Sequence, residues 1–517
     1  MKQKTWIISA LMCAMVIMVC LGVLHLLKEM TENNAPSGTV AEESTDHTEP
    51  EIDFAEEEET KEDIAETGAE EEESDVPVER EEGYYGWKQE LPQIFPSVPE
   101  EVPYEPPRLI LATDLHYQSA QADDGGAAFQ LFVERGDGKV VEYLPELLEA
   151  FMDQVIEEHP SALVLSGDIT MNGEKINHEE LARGLMRVQD AGIPVLIVPG
   201  NHDINNPHAA VYFGEEKAET DPVTPEEFYN IYHMYGYDQA ISRDDASLSY
   251  VYQLDERNRL LMLDTCQYEP KNMVEGQLKV ETFQWADEQL KKAKKDGINV
   301  LPIGHHNLLA QSRMYTTQCA MNNNGDVIEL FQKYELPLYL SGHLHVQRIR
   351  KHKAEPGAAD DSYGIMEIVT DALSIPPCQY ALLEWKRDGS MEYSTKAVDV
   401  SAWAARTGSQ NPDLLDFEGW SERYIQKLII DQIRGVVKNL GNDVEHSMAE
   451  VYASVYIDYY AGRRIDAKGI RSSKGYRWWE RNMPDSYLLK ELDAMIDDSD
   501  RDNNYMLLPE VNAAAEE

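Results

Sequence analysis

Histidines, aspartates and one asparagine stand at the ends of short apolar runs in this sequence, and this is where its chemistry is to be sought. RLILATDLH ends in Asp114 and His116, ALVLSGDIT in Asp168, and VLIVPGNHD in Asn201, His202 and Asp203. NVLPIGHH ends in His305 and His306, and LPLYLSGHLH in His343 and His345. Imidazole nitrogens beside carboxylate or amide oxygens, with no thiolate among them, suit zinc, manganese, iron or cobalt. So many groups exceed the needs of one ion; they fit two ions about 3.5 to 4 Å apart, with a shared carboxylate spanning both. Gly167, Gly200, Gly304 and Gly342 each directly precede one of these polar groups, so the backbone can bend sharply there and approach a ligand.

Five distant stretches meet at one place only if something aligns their ends. The apolar runs are short and rich in Leu, Ile and Val, and they alternate with amphipathic segments such as YLPELLEAFMDQVIEEH, HEELARGLMRVQDAG and TFQWADEQLKKAKKDG. The last two of these close on a glycine, a common helix stop. The pattern predicts an α/β protein with central β-sheets flanked by helices, in which the loops leaving the carboxyl ends of the strands share one crevice. From about Trp403 the strand-like runs cease. Ile425, Leu428, Ile429, Ile433, Val436, Val437 and Leu440 then form one helical stripe, with Ser421 placed to cap its start and Gly441 just past its end. A second stripe, Val444, Met448, Val451, Val455 and Tyr459, closes at Gly462.

Of the 517 residues, those flanking this region read differently. Thr5 to Leu27 is apolar, uncharged apart from His25, and long enough as a helix to match a bilayer core of about 30 Å. No small-residue cleavage site follows it, so we expect an uncleaved membrane anchor over 1–28 rather than a secretory signal, with Lys2 and Lys4 holding the N-terminus in the cytoplasm. The catalytic part would then be extracytoplasmic. Glu42 to Glu82 holds 21 acidic residues against Lys61 and Arg80, a large share of the net charge of −50. We expect 29–107 to be a disordered acidic linker, 108–402 a catalytic domain and 403–517 a helical C-terminal domain. A field this negative repels nucleic-acid polymers, while local cations can still bind a small phosphorylated ligand. Five cysteines without CxxC spacing argue against structural zinc and against a disulfide framework.

The ordered series D-x-H, GD, GNHD, H and GHxH resembles that of the calcineurin-like metallophosphoesterases over roughly Arg108 to Asp399. The resemblance implies a metallophosphoesterase-type layered sandwich holding two divalent ions (Mn, Fe or Zn). It implies that Asp114, His116 and His345 bind the first ion, that Asn201, His305 and His343 bind the second, and that Asp168 bridges them. His202, held by Asp203, would stabilise or protonate the leaving oxygen, while water acidified by both cations attacks phosphorus in line. His306 would stand behind the ligands or in the pocket wall. Many family members carry prolines where this chain has Asn307 and Leu308, so the loop there should differ.

SGDITMNGEKINHEEL and PGNHDINNP are similar to the extended blocks of bacterial cyclic-nucleotide phosphodiesterases, some of which also carry a helical C-terminal domain. On that likeness Asn172, Glu174, His178 and Asn206 line the substrate pocket; hydrogen bonding within the loops and helix capping account for them equally well. Tyr117 to Val141, polar and glycine-containing, is a second pocket-shaping segment. The expected substrate is a small phosphodiester of the cyclic-nucleotide class; a broad phosphomonoesterase or nucleotidase and a non-catalytic binding module are the alternatives.

Overall fold

A computed structural model of the chain describes residues 104–313, 318–352 and 364–508. The expected anchor lies outside the described residues, as does nearly all of the acidic linker. Among the described residues no helix is long and apolar enough to cross a membrane.

Strands β1 (Arg108–Ala112), β2 (Ala162–Ser166) and β3 (Val195–Val198) are parallel neighbours. β2 reads ALVLS and is buried at every position, as a run apolar up to its last residue must be when helices cover one face and a second sheet the other. A short hairpin follows, β4 (Ala210–Phe213) with β5 (Glu216–Glu219). Next come β6 (Ser242–Arg243), β7 (Tyr250–Gln253), β8 (Asn258–Leu263), β9 (Asn299–Gly304), β10 (Leu338–Ser341), β11 (Arg348–Lys351) and β12 (Met366–Val369). These seven form a sheet ordered β11-β12-β10-β9-β8-β7-β6, in which β12, β10, β9 and β8 are parallel. β13 (Gln379–Trp385), β14 (Met391–Ala397) and β15 (Tyr505–Leu508) return to the first sheet and add antiparallel edges, giving the order β15-β14-β13-β1-β2-β3.

The period of two along the strands decides what each face touches. Leu260 and Met262 of β8, with Ile303, Leu340 and Ile368, share one core with Leu109, Leu111, Val164 and Ile197 of the first sheet. Their alternates Leu261 and Leu263 pack instead with Tyr339 under the helices Val280–Asp296 and Asn324–Lys333, against Ala286, Leu290, Val327 and Phe331. The helices Leu144–Glu158 and Lys175–Asp190 bury Phe151, Val155, Leu181 and Leu185 against the first sheet. Each connects two parallel strands, and so both chain directions and strand ends are fixed together.

Four helices, Phe417–Val436, Asn442–Tyr460, Lys474–Asn482 and Tyr487–Asp498, build a further core around Ile425, Ile429, Ile433, Tyr452, Tyr456, Trp479 and Leu492. That core also takes in Leu344, Val346, Ala372 and Ile375 of the catalytic region. Two expectations change. Ser421 does not start its helix; it lies one turn inside, buried, its hydroxyl donating back to the Glu418 carbonyl (3.1 Å). Gly441, at φ 97°, precedes the Asn442–Tyr460 helix instead of closing the one before, because the chain already leaves helical geometry at Val437. Nor is this segment wholly helical: Tyr505–Leu508 crosses back as β15 and pairs with β14, Tyr393 opposite Met506.

Trp479 is fully buried and its indole nitrogen donates to the Met448 carbonyl (2.9 Å). Trp479→Ala should destabilise the protein by about 3–5 kcal/mol, read as a lower urea midpoint. A loss below about 1 kcal/mol would show that this core does not support the fold.

Candidate metal centre

Every polar group singled out at a strand end leaves the same side of the two sheets. β1 delivers Asp114 and His116, β2 Asp168, β3 Asn201, β9 His305, and β10 His343 and His345. All seven are at most 4% exposed. Ligand atoms of Asp114, His116, Asp168 and His345 lie within 4.8 Å of one another. His116 Nε2 stands 3.0 Å from His345 Nε2, which is 3.1 Å from Asp114 Oδ1. Asp168 Oδ2 sits between the two halves, 3.9 Å from His116 Nε2 and 3.3 Å from His305 Nε2, and that same nitrogen is 3.3 Å from Asn201 Oδ1.

Local backbone shape makes this convergence possible. Asp114, His116, Asp168, His343 and His345 all have φ between 43° and 72°, a left-handed region that side chains enter rarely. Such strain persists only where the surroundings over-determine it, and it clusters at functional sites. Close approach matters as much: a Cβ on Gly167 (φ 97°) would lie 2.5 Å from His305 Nδ1, and one on Gly200 2.2 Å from Asp168 Oδ1. Alanine at either position would push one ligand off the other.

Among the described residues His116 Nδ1 and His343 Nδ1 are buried without a hydrogen-bond partner, and Asp114 Oδ1 makes no hydrogen bond beyond its ion pair with His345 Nε2. The opposite edges are tied down. Asp114 Oδ2 accepts from Thr113 Oγ1 (2.7 Å) and the His343 amide (3.0 Å), His343 Nε2 faces the Gln318 carbonyl (2.9 Å), and His305 Nδ1 faces that of Ser166 (2.9 Å). Asp114, His343 and His305 are thus held from behind with an oxygen or nitrogen left facing the cluster, an arrangement that fits cations; a buried polar atom without a partner is otherwise costly. Burial opposes every charge here. Even so, Asp168 is held well below the usual carboxylate range by His305, His202 and His116, and His305 is pushed up to about 9 by Asp168 and Asp114. Burial first, then the neighbouring His305, drives His343 down to about 4, leaving the neutral imidazole that a metal requires.

His306 groups with His305 and His343 by distance alone. Both of its ring nitrogens are already used, Nδ1 on Thr265 Oγ1 (2.8 Å) and Nε2 on the Val274 carbonyl (3.0 Å), so neither is left over for a cation in this arrangement. His202 stands edge-on to His116, Nε2 4.0 Å from Asp168 Oδ2. Its ring is not held by Asp203, contrary to expectation. His202 Nδ1 faces the Met171 carbonyl (2.9 Å) and Asn172 Oδ1 (3.1 Å). The Asp203 carboxylate turns the other way and accepts from the amides of Ile169, Thr170 and Gly200 and from Thr170 Oγ1, stapling the β2 and β3 loops together.

Neither does His178 line a pocket: it is fully buried, with Nδ1 on Tyr232 Oη (3.0 Å) and Nε2 on the Asp203 carbonyl (2.9 Å). Glu174 is likewise structural, accepting from the Asn172 and Ala210 amides and Asn177 Nδ2. Asn172 Oδ1 meets His202 Nδ1, and Asn206 Nδ2 donates to the His202 carbonyl (3.1 Å). One determinant escapes a reading of the sequence. Buried Glu367 of β12 accepts from the amides of Leu308 and Leu309, Gln311 Nε2 and Ser341 Oγ, tying the loop after His305 to the strand end before His343. Prolines at 307 and 308 would lack the Leu308 donor, so the departure noted at Asn307 and Leu308 is matched by this carboxylate.

Residues 107–347 match the calcineurin-like phosphoesterase family, and residues 399–502 match the C-terminal domain of cyclic nucleotide phosphodiesterase. Among solved structures, a dimetal phosphatase from Danio rerio is similar at 16% identity and a TM-score of 0.43, over 57% of this chain and 97% of that one. Purple acid phosphatase PPD1 from yellow lupin (Lupinus luteus) seeds is similar at 13% identity and a TM-score of 0.37, over 57% of this chain and 52% of its own. No curated protein sequence matches the chain significantly.

The neighbouring histidines give a direct check. His305→Ala should leave about half the metal of the unaltered protein in elemental analysis, and His306→Ala should retain all of it while weakening substrate binding. Equal metal loss in the two variants would overturn the division drawn between them.

Proposed function

Since residues 107–347 form a calcineurin-like phosphoesterase domain, the protein is a metal-dependent phosphoric ester hydrolase, and we propose that it hydrolyses small phosphodiesters, cyclic nucleotides foremost. The observation that carries the substrate class is the cyclic nucleotide phosphodiesterase C-terminal domain at 399–502, whose helices share a core with the loop following His345. Asp114, His116 and His345 would hold one cation and Asn201, His305 and His343 the other, with Asp168 shared between them; manganese, iron and zinc all suit this donor set. Two such cations, when bound, neutralise phosphoryl oxygens and acidify water.

The remaining work falls to the chain's own side chains. The Met171 carbonyl accepts from His202 Nδ1 and turns Nε2 toward the centre, where it carries a proton for the leaving oxygen. Asn172 and Asn206 fix that ring and its backbone. Asp203 and Glu367 keep the loops from separating. At the other end of the chain, Thr5 to Leu27 anchors the protein and leaves the catalytic domain outside the cytoplasm; the uncharged length of this stretch supports that reading, and protease accessibility on intact cells tests it.

Purified protein supplied with Mn should hydrolyse cyclic AMP or bis-p-nitrophenyl phosphate faster than p-nitrophenyl phosphate. No diester hydrolysis with any of manganese, iron or zinc would sink the proposal, and a preference for the monoester would reassign the substrate. His202→Ala should lower kcat by about 10²–10⁴-fold with its metal retained. Asp168→Asn should lose both metal and turnover; two retained metals without turnover in the unaltered protein would point to a binding module.

A further inference from the structure

The loop Gly136-Asp137-Gly138-Lys139 lies between the C-terminal helices and the metal centre. Gly138, at φ 105°, is so close to the Phe417–Val436 helix that a Cβ on it would stand 2.4 Å from Ile425 Cδ1. That helix also grips the loop by hydrogen bonds: Tyr424 Oη donates to the Lys139 carbonyl (3.1 Å) and Gln432 Nε2 to the Gly136 carbonyl (3.2 Å). On its other side the Val140 amide donates to the Ser374 carbonyl (2.9 Å), and Ser374 Oγ donates to the carbonyl of Asp114 (2.8 Å). The loop is therefore strung between a C-terminal helix and the backbone of a candidate metal ligand.

Its one cationic side chain is buried. Lys139 is 8% exposed and paired with Asp137, whose side chain is also nearly covered. Val140, the next residue in the chain, is bound to Ser374 and through it to the Asp114 backbone, so the loop that carries this pair runs beside the candidate ligands. An ammonium has three donors, and among the described residues Asp137 is the one acceptor that meets it. A lysine desolvated with donors to spare is costly as a mere loop fastening, since one bond does not replace its water. Beside a site for phosphoryl oxygens the spare donors have acceptors of the right charge.

We infer that Lys139 binds a non-bridging phosphoryl oxygen of the substrate, and that the Phe417–Val436 helix holds the loop that presents it. This rests on the phosphoester reading above and gives the C-terminal segment a part in the active site. It also supplies a local cation on a chain whose overall charge of −50 repels anionic ligands.

Inorganic phosphate, titrated by calorimetry into the full chain loaded with Mn, tests it without depending on turnover. Lys139→Met keeps the apolar stem and deletes the charge; phosphate affinity should fall by about ten- to a hundredfold, and KM for the diester should rise more than kcat falls. Metal content should not change. Asp137→Asn breaks the same ion pair but keeps the cation, and should retain phosphate binding. Unchanged phosphate affinity in Lys139→Met, or equal loss in both variants, would overturn the inference, the second outcome by tracing the effect to the loop. Lys139-dependent phosphate binding in a protein that cleaves no ester would uphold it while removing the hydrolase reading.

Discussion

Seven polar side chains, almost without solvent, are pressed to hydrogen-bonding distance of one another at the ends of five strands, and everything else in this protein answers to that crowding. Water cannot stabilise them, and they stabilise each other only in part: Asp168 and His305 favour each other's charge, but the two imidazole nitrogens of His116 and His345, 3.0 Å apart, share at most one proton. Cations in their midst would resolve the rest. Before any cation arrives, the chain must hold the groups together against burial and backbone strain, which requires stiff support on every side.

That support comes from carboxylates that do no chemistry. Asp203 binds three amides and a hydroxyl where β2 and β3 end; Glu367 does the same where β9 and β10 end, with two amides, a side-chain amide and a hydroxyl. Burial raises both acids, Asp203 to about 7 and Glu367 to about 7, against the backbone and hydroxyl donors that favour their charge. The two sheets are thus each laced at the edge of the site by one acid, and the ligands hang from the laced loops. Glycines at 167 and 200 let the loops touch, and the acids keep them there.

The cluster of candidate ligands is legible in the sequence because packing alone seldom ends an apolar run on a sudden histidine or aspartate, and because parallel strands bring such ends together. Asp203 misleads for a related reason: an acid next to His202 in the chain invites pairing, yet along an extended turn adjacent side chains diverge, and Asp203 falls toward Thr170. His178 and Glu174 carry polar types that suit a pocket, and only the packing of Tyr232 and the 210 region over them reveals a structural role. Lys139 sits in a polar segment with no periodicity, so the segment stands out but the residue does not. Strand β15 does not declare itself in the sequence, because Tyr505 and Leu507 face solvent and a single edge ladder gives YMLL its identity.

That last strand has a consequence for how the molecule is made. β14 ends at Ala397 and its outer partner begins at Tyr505, with the whole helical segment in between. On a growing chain the edge of the first sheet therefore waits, unpaired, while every C-terminal helix is synthesised. An open edge is a template for pairing with other chains. Translation that stalls within those helices would release a protein whose candidate metal ligands are all present but whose long β14 is the open edge, and pairing with the four residues Tyr505–Leu508 exchanges that seven-residue edge for a shorter one.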